Sequence, residues 1–207
     1  MIDIRFFLYI IIILSAVFHE YAHGWVAYRL GDSTAKDSGR LTLNPLVHLD
    51  PIGTVLLPLF LLFTWGGFIG WAKPIPYNPH NLSDQRYGSL KVAIAGPAAN
   101  LLIALTLGLI LRFSFGYLFS LSPGLSQLPM LLSLIVYINI FLALFNLIPF
   151  APLDGSKIFA DLFPNQWMYF MRTGFLGIFL ALFIAFTVLS PIANFIFWVI
   201  VGHPINF

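Results

Sequence analysis

His19, Glu20 and His23 stand in the order H-E-x-x-H within Phe18-His19-Glu20-Tyr21-Ala22-His23. Residues four apart on a helix share a face, one turn apart. Both imidazoles can therefore reach one metal ion, while Glu20, rotated beside them, can exchange a proton with water there. The chemistry this allows is metal-assisted hydrolysis, and a hydrolytic zinc centre uses three protein ligands and one open position. The chain has no cysteine and Glu20 is its only glutamate, so the third ligand must be another histidine or an aspartate. Asp154 is the candidate. In Asn146-Leu147-Ile148-Pro149-Phe150-Ala151-Pro152-Leu153-Asp154-Gly155 two prolines break a helix and leave a carboxylate at a bend, where non-helical backbone can line a wet cavity. Asn146, two turns earlier, carries an amide able to donate to a developing oxyanion. His48 and Asp161 are the alternatives. His48 lacks ligand spacing and reads as a loop histidine hydrogen-bonded locally, and Asp161 lacks the bend.

The elements that position these groups must be membrane helices. Hydrophobic residues make up 59% of the 207 and charged residues 9%, with a mean hydropathy of +0.91; soluble domains carry about a quarter charged residues. An ionised side chain at the centre of a bilayer costs about 2.5–3.5 kcal/mol on insertion scales, so Glu20 in an apolar run points to function. The absence of cysteine excludes a disulfide framework, and a dispersed formal charge of +2 gives no basis for binding nucleic acid. No cleavage pattern follows the first apolar run, so that run is expected in the mature protein.

The pattern predicts an all-α polytopic membrane protein: a bundle of about five transmembrane helices and one transmembrane domain over 1–207. Spans are expected at residues 5–30, 89–112 and 131–148, followed by an apolar stretch over 171–201 that Pro191 makes either one kinked helix or a pair. Residues 52–71 are apolar but punctuated by Pro58, Gly66, Gly67 and Gly70, as in a broken or re-entrant segment. Leu41 and Leu43 alternate with polar neighbours, compatible with a short β-hairpin near 40–50. Asn100, after Ala95-Gly96-Pro97-Ala98-Ala99, needs a partner in lipid and reads as interhelical glue or a substrate contact. Lys157 and Asp161 belong to a short amphipathic piece expected at the surface.

The metal site constrains the topology. His19 lies about 21 Å along the first helix from Arg5 and about 15 Å from Arg29. It can meet Asp154, at the end of the fourth span, only if those two helices run the same way, so residues 52–71 must enter and return. Under that topology eight Lys and Arg residues lie on one side (Arg29, Lys36, Arg40, Lys73, Arg86, Lys91, Lys157, Arg172) and two on the other (Arg5, Arg112). A full crossing would divide them four to six. The lopsided partition fits the positive-inside rule, with the N-terminus outside and the site nearer the cytoplasm.

His19 to His23, Gly96-Pro97-Ala98-Ala99-Asn100 and Asn146 to Gly155 together resemble the site-2 protease family of intramembrane zinc metalloproteases, in the compact form without PDZ or CBS domains. Asn44 to Thr54 and Gly70 to Pro74 are similar to its compact bacterial members. The resemblance covers essentially the whole chain. It implies one zinc held by His19, His23 and Asp154, Glu20 as general base and acid, and Asn146 assisting the oxyanion or substrate. It also implies a bacterial cytoplasmic membrane and a transmembrane protein as substrate. That substrate must unwind before cleavage, and the polar loop and re-entrant segment are candidates to hold it as an added strand. A membrane metal transporter or channel using the same His/Asp cluster is the rival, with a catalytically silent scaffold third. No repeat of the transporter kind is visible, and a glutamate between two ligand histidines has a hydrolytic role.

Overall fold

The computed structural model describes residues 4–64, 70–120, 127–171 and 176–204. These are helical or irregular throughout; no strand forms among the described residues. Four helical stretches are long and apolar enough to cross a membrane: Arg5–Arg29, Gly88–Ser114, Leu128–Asn146 and Phe179–Val201. The chain divides into two compact units, Met1–Gly96 and Pro97–Phe207.

In the first unit, α1 (Ile4–Arg29) is inside out relative to a soluble helix. Phe6, Ile10, Leu14 and Phe18, each four residues apart, are exposed, whereas Ile11, Ser15, His19, His23 and Ala27 form the buried stripe. Apolar side chains face where lipid would be and the polar ones face inward, as burial in hydrocarbon requires. Arg29 stacks its guanidinium 5.1 Å from the Trp25 ring at the end of this helix. A short helix α2 (Thr34–Asp37) follows.

The next stretch corrects one expectation. Residues 40–50 form no β-hairpin but a 3-10 turn, Pro45–Val47, because two proline caps take over the local geometry. Asn44 accepts the Leu46 amide, and Asp50 accepts those of Ile52 and Gly53. In each case an Asx side chain precedes a proline whose ring presets the helical φ. Asp50 thereby starts a π turn, Pro51–Leu56, which runs on into α3 (Leu57–Thr64). As far as residue 64 this helix reaches only about 21 Å, short of the roughly 30 Å of a hydrocarbon core. The chain then comes back. The Trp71 amide donates to the Gly53 carbonyl at 3.1 Å, the Lys73 amide to the His48 carbonyl at 2.9 Å, and Thr54 Oγ1 to the Trp71 carbonyl at 2.8 Å. Both ends of the 52–71 segment are therefore stitched together, as a re-entrant segment requires.

Residues 71–78 form a strap without helix, and α4 (Gly88–Ser120) begins beyond it. Asp32, fully buried just after α1, ties the end of that helix to the far end of the strap. Its carboxylate accepts from Thr34 Oγ1, from the Asn78 amide at 2.8 Å and from Asn81 Nδ2 at 2.9 Å. Burial alone pushes this carboxyl up, but the hydrogen bonds from Thr34, Asn81 and Asn78 outweigh it and hold the group below the usual carboxylate range. Asp84, before α4, is drawn down to about 2, first by the Lys91 ammonium and then by the Tyr87 amide.

The second unit contains the rest of α4 from Pro97, then α5 (Leu128–Asn146), α6 (Asp154–Leu162), α7 (Pro164–Met171), α8 (Leu176–Ile184) and α9 (Ser190–Val201). The π turn Ala185–Leu189 joins α8 to α9 without a break, so Pro191 lies within one helical run, and four helices among the described residues are long and apolar enough to cross a membrane. The wider turn relieves the clash that Pro191 would make with the carbonyl of Thr187. Ala104, Leu111, Val136, Ile140, Ala193, Phe197 and Val201 make the main core. Hydrocarbon offers no hydrophobic gain for helices that associate, so small Ala104 and Ala193 matter by allowing close van der Waals packing. Asn100 Nδ2 donates to Asn139 Oδ1 at 2.8 Å, both residues fully buried. Of the two readings of Asn100, this contact corresponds to interhelical glue.

Candidate metal centre

The helical spacing of His19 and His23 brings their Nε2 atoms to 3.0 Å, with ring centroids 4.6 Å apart and planes at 85°. Two nitrogens bound to zinc at about 2.0–2.1 Å in a tetrahedron lie about 3.3 Å apart, so the pair is close to the separation such an ion requires. The tautomer is suited to it as well. His23 Nδ1 lies 2.6 Å from the Val92 carbonyl, which only accepts, so Nδ1 carries the proton and Nε2 presents a lone pair. Both rings are buried, at 6% and 5% exposure.

The rings are confined from the side of α4. A Cβ on Gly96 would stand 2.6 Å from His19 Nε2 and would also collide with His23 Nε2. Glycine is required there because the imidazoles occupy the volume any side chain would need. Glu20, between the two histidines, accepts a hydrogen bond on Oε2 from the Ile75 amide at 2.8 Å.

In the second unit Asp154 is the first residue of α6 and is 6% exposed. Leu153 before it is extended, so the proline-rich bend does end one helix and start another at the carboxylate. Its position in the first turn also suits a negative charge, because the helix dipole is positive there. Lys157 Nζ lies 3.2 Å from Asp154 Oδ1. Lys157 stays largely exposed, as expected of it, while the (i, i+3) spacing on a helix starting at Asp154 pairs the two. Asn146, in the last turn of α5, donates from Nδ2 to the Leu142 carbonyl of its own helix at 2.9 Å.

His19 and His23 in the first unit and Asp154 in the second are each buried. Two imidazoles and a carboxylate are a zinc donor set of the hydrolytic kind. His48, weighed as an alternative ligand, belongs to no such group among the described residues. It donates from Nε2 to the Thr42 carbonyl at 2.8 Å, the local hydrogen bond expected of it. Three contributors escaped the sequence reading: the Val92 carbonyl, the Ile75 amide and the shape of Gly96. Backbone groups carry no residue-type signal, although Gly96 lies in the small-residue run already singled out.

The sequence profile of Peptidase family M50 matches residues 6–128 and 120–190. The chain is 41% identical over 201 residues to the provisionally named zinc metalloprotease YwhC of Bacillus subtilis, covering 93% of this chain and 84% of that protein. It is 33% identical over 144 residues to Rip2 of Mycolicibacterium smegmatis, also provisionally named a zinc metalloprotease, covering 69% of this chain and 52% of that one. A third relative, the zinc metalloprotease MJ0392 of Methanocaldococcus jannaschii, is 27% identical over 80% of this chain and 37% of its own length. No solved structure matches the chain.

Proposed function

Because this chain belongs to peptidase family M50 and is a zinc metalloprotease of the membrane, we propose that it cuts membrane-protein substrates within or beside their transmembrane segments. The observation that carries this reading is the location of the histidine pair. His19 and His23 are buried in the second half of an apolar helix of 26 residues, a position that calls for a scissile bond delivered below the membrane surface. Family membership also sets aside the metal-transporter alternative.

In this reading His19, His23 and Asp154 are the residues that would hold one zinc. When bound, zinc supplies Lewis acidity, lowering the pKa of water to about 7 and polarising a carbonyl. Glu20 receives the proton as water attacks the peptide carbonyl and returns it to the leaving amine. Asn146 donates its amide to the oxyanion. The Val92 carbonyl keeps His23 in the tautomer that ligation needs, and Gly96 leaves the space the rings fill. The substrate helix must first unwind, because its peptide bonds are shielded and hydrogen-bonded to one another. The eight-to-two division of Lys and Arg supports an orientation with the N-terminus outside and the site nearer the cytoplasmic face of a bacterial cytoplasmic membrane.

The test uses purified wild type and Glu20→Gln in proteoliposomes with a panel of helix-destabilised transmembrane peptides, and for comparison an unstructured soluble peptide. About one zinc per chain is expected in both proteins, with transmembrane peptides cut by wild type and at least about a hundredfold more slowly by the variant. Cleavage of the soluble peptide alone would leave a protease but remove the intramembrane role.

A further inference from the structure

The strap over residues 71–78 is held with a two-residue period. The amides of Trp71 and Lys73 donate to Gly53 and His48 at 3.1 and 2.9 Å, and that of Ile75 donates to Glu20 Oε2 at 2.8 Å. The carbonyls of Trp71 and Lys73 accept from Thr54 Oγ1 and from Arg40 Nη2, each at 2.8 Å. At the far end the Asn78 amide is fixed on Asp32. Alternate residues thus present both backbone groups to the same side, as in an extended strand. The third amide in this series meets the carboxylate between the two histidines.

The local sequence Lys73-Pro74-Ile75-Pro76 has the composition for this task. Prolines 74 and 76 lack an N–H, so Ile75 is the one backbone donor of the three residues. Each proline also keeps the residue before it, Lys73 and Ile75, out of the α region, so the extended path costs little further entropy on folding. The Ile75 side chain, 7% exposed, anchors the arrangement. It seats in the notch over Gly24, where a Cβ would strike its Cδ1 and come within 3.4 Å of Ala35 Cβ.

We propose that Ile75 is a positioning residue for the general base. Its backbone N–H holds one oxygen of the Glu20 carboxylate, which fixes the rotamer and leaves Oε1 to face the attacking water. A carboxylate on a helix has several rotamers, and only one puts an oxygen where a proton must be collected. The amide of a strap pinned at both ends makes that choice before substrate arrives. This inference rests on the proton-transfer role proposed above for Glu20.

The experiment replaces the Ile75 peptide N–H by an ester oxygen in the full chain, using the α-hydroxy analogue of isoleucine, which keeps the side chain and loses only the donor. Zinc content, thermal unfolding, kcat and KM are measured on a transmembrane peptide cut by wild type, with Ile75→Val as the variant that retains the amide. Loss of a hydrogen bond to a charged group is expected to lower kcat about tenfold, with KM, zinc content and unfolding temperature as in wild type. Ile75→Val is expected to keep kcat within about twofold of wild type. An unchanged kcat in the ester protein overturns the proposal. So does a fall accompanied by lost zinc or a lower unfolding temperature, which would assign the strap a structural role only. Wild type that cuts no faster than Glu20→Gln would remove the role of Glu20 itself, and the positioning role with it.

Discussion

The Trp71 amide donates to the carbonyl of Gly53, eighteen residues earlier, at 3.1 Å. The two ends of the apolar segment therefore lie side by side, and Lys36 and Lys73, on its two sides in the sequence, are expected on the same face of the membrane. The chain has no cysteine, so Lys36→Cys and Lys73→Cys can be made singly and labelled in intact cells or oriented vesicles. Both are expected to react with an impermeant maleimide from the same side. Reaction from opposite sides would mean that residues 52–71 cross fully.

Gly96→Ala tests the confinement of the histidines. The added methyl would stand 2.6 Å from His19 Nε2, and since the close neighbours are ring atoms, the rings must turn away. Zinc affinity is expected to fall about 10- to 100-fold, the range for disturbed ligand orientation, while the helix itself is favoured by alanine. Metal titration with a competing chelator reads this directly. Wild-type affinity would show that the rings can shift without cost.

Asn100 and Asn139 form a buried amide pair in the second unit. A double-mutant cycle with Asn100→Leu and Asn139→Leu is expected to give a coupling of about 0.6 kcal/mol, and no more than about 1.7, because the unfolded chain in a membrane also finds partners. Unfolding in mixed micelles measures it. A coupling near zero would reduce the pair to ordinary packing.

Asp32 gives a pH dependence with a definite sign. Its folded pKa is depressed, so its contribution to stability is present above the unfolded pKa of about 3.9 and is lost as pH falls through the folded value. Acidification below about pH 4 is therefore expected to loosen the junction of the strap with the end of α1. Faster hydrogen exchange at the Asn78 amide reports the loosening. In Asp32→Asn the same amide is expected to exchange faster already at neutral pH and to lose its acid dependence. Unchanged exchange in the variant would place the clasp elsewhere.

The sequence by itself determined the chemistry and the class of fold. H-E-x-x-H on a helix puts two imidazoles on one face whatever surrounds them, because helical geometry is local. The apolar runs likewise identify the spans, since a backbone in hydrocarbon has to satisfy its own hydrogen bonds. The bend before Asp154 was also legible, from proline. The hairpin near residues 40–50 was misread, because Asn44-Pro45 and Asp50-Pro51 make side-chain caps that prevail over two alternating leucines. Tertiary structure alone decided which backbone groups serve the candidate site. The Val92 carbonyl on His23 and the Ile75 amide on Glu20 come from 69 and 55 residues away. Every residue but proline carries both groups, so only the path of the folded chain selects the ones that meet a functional side chain.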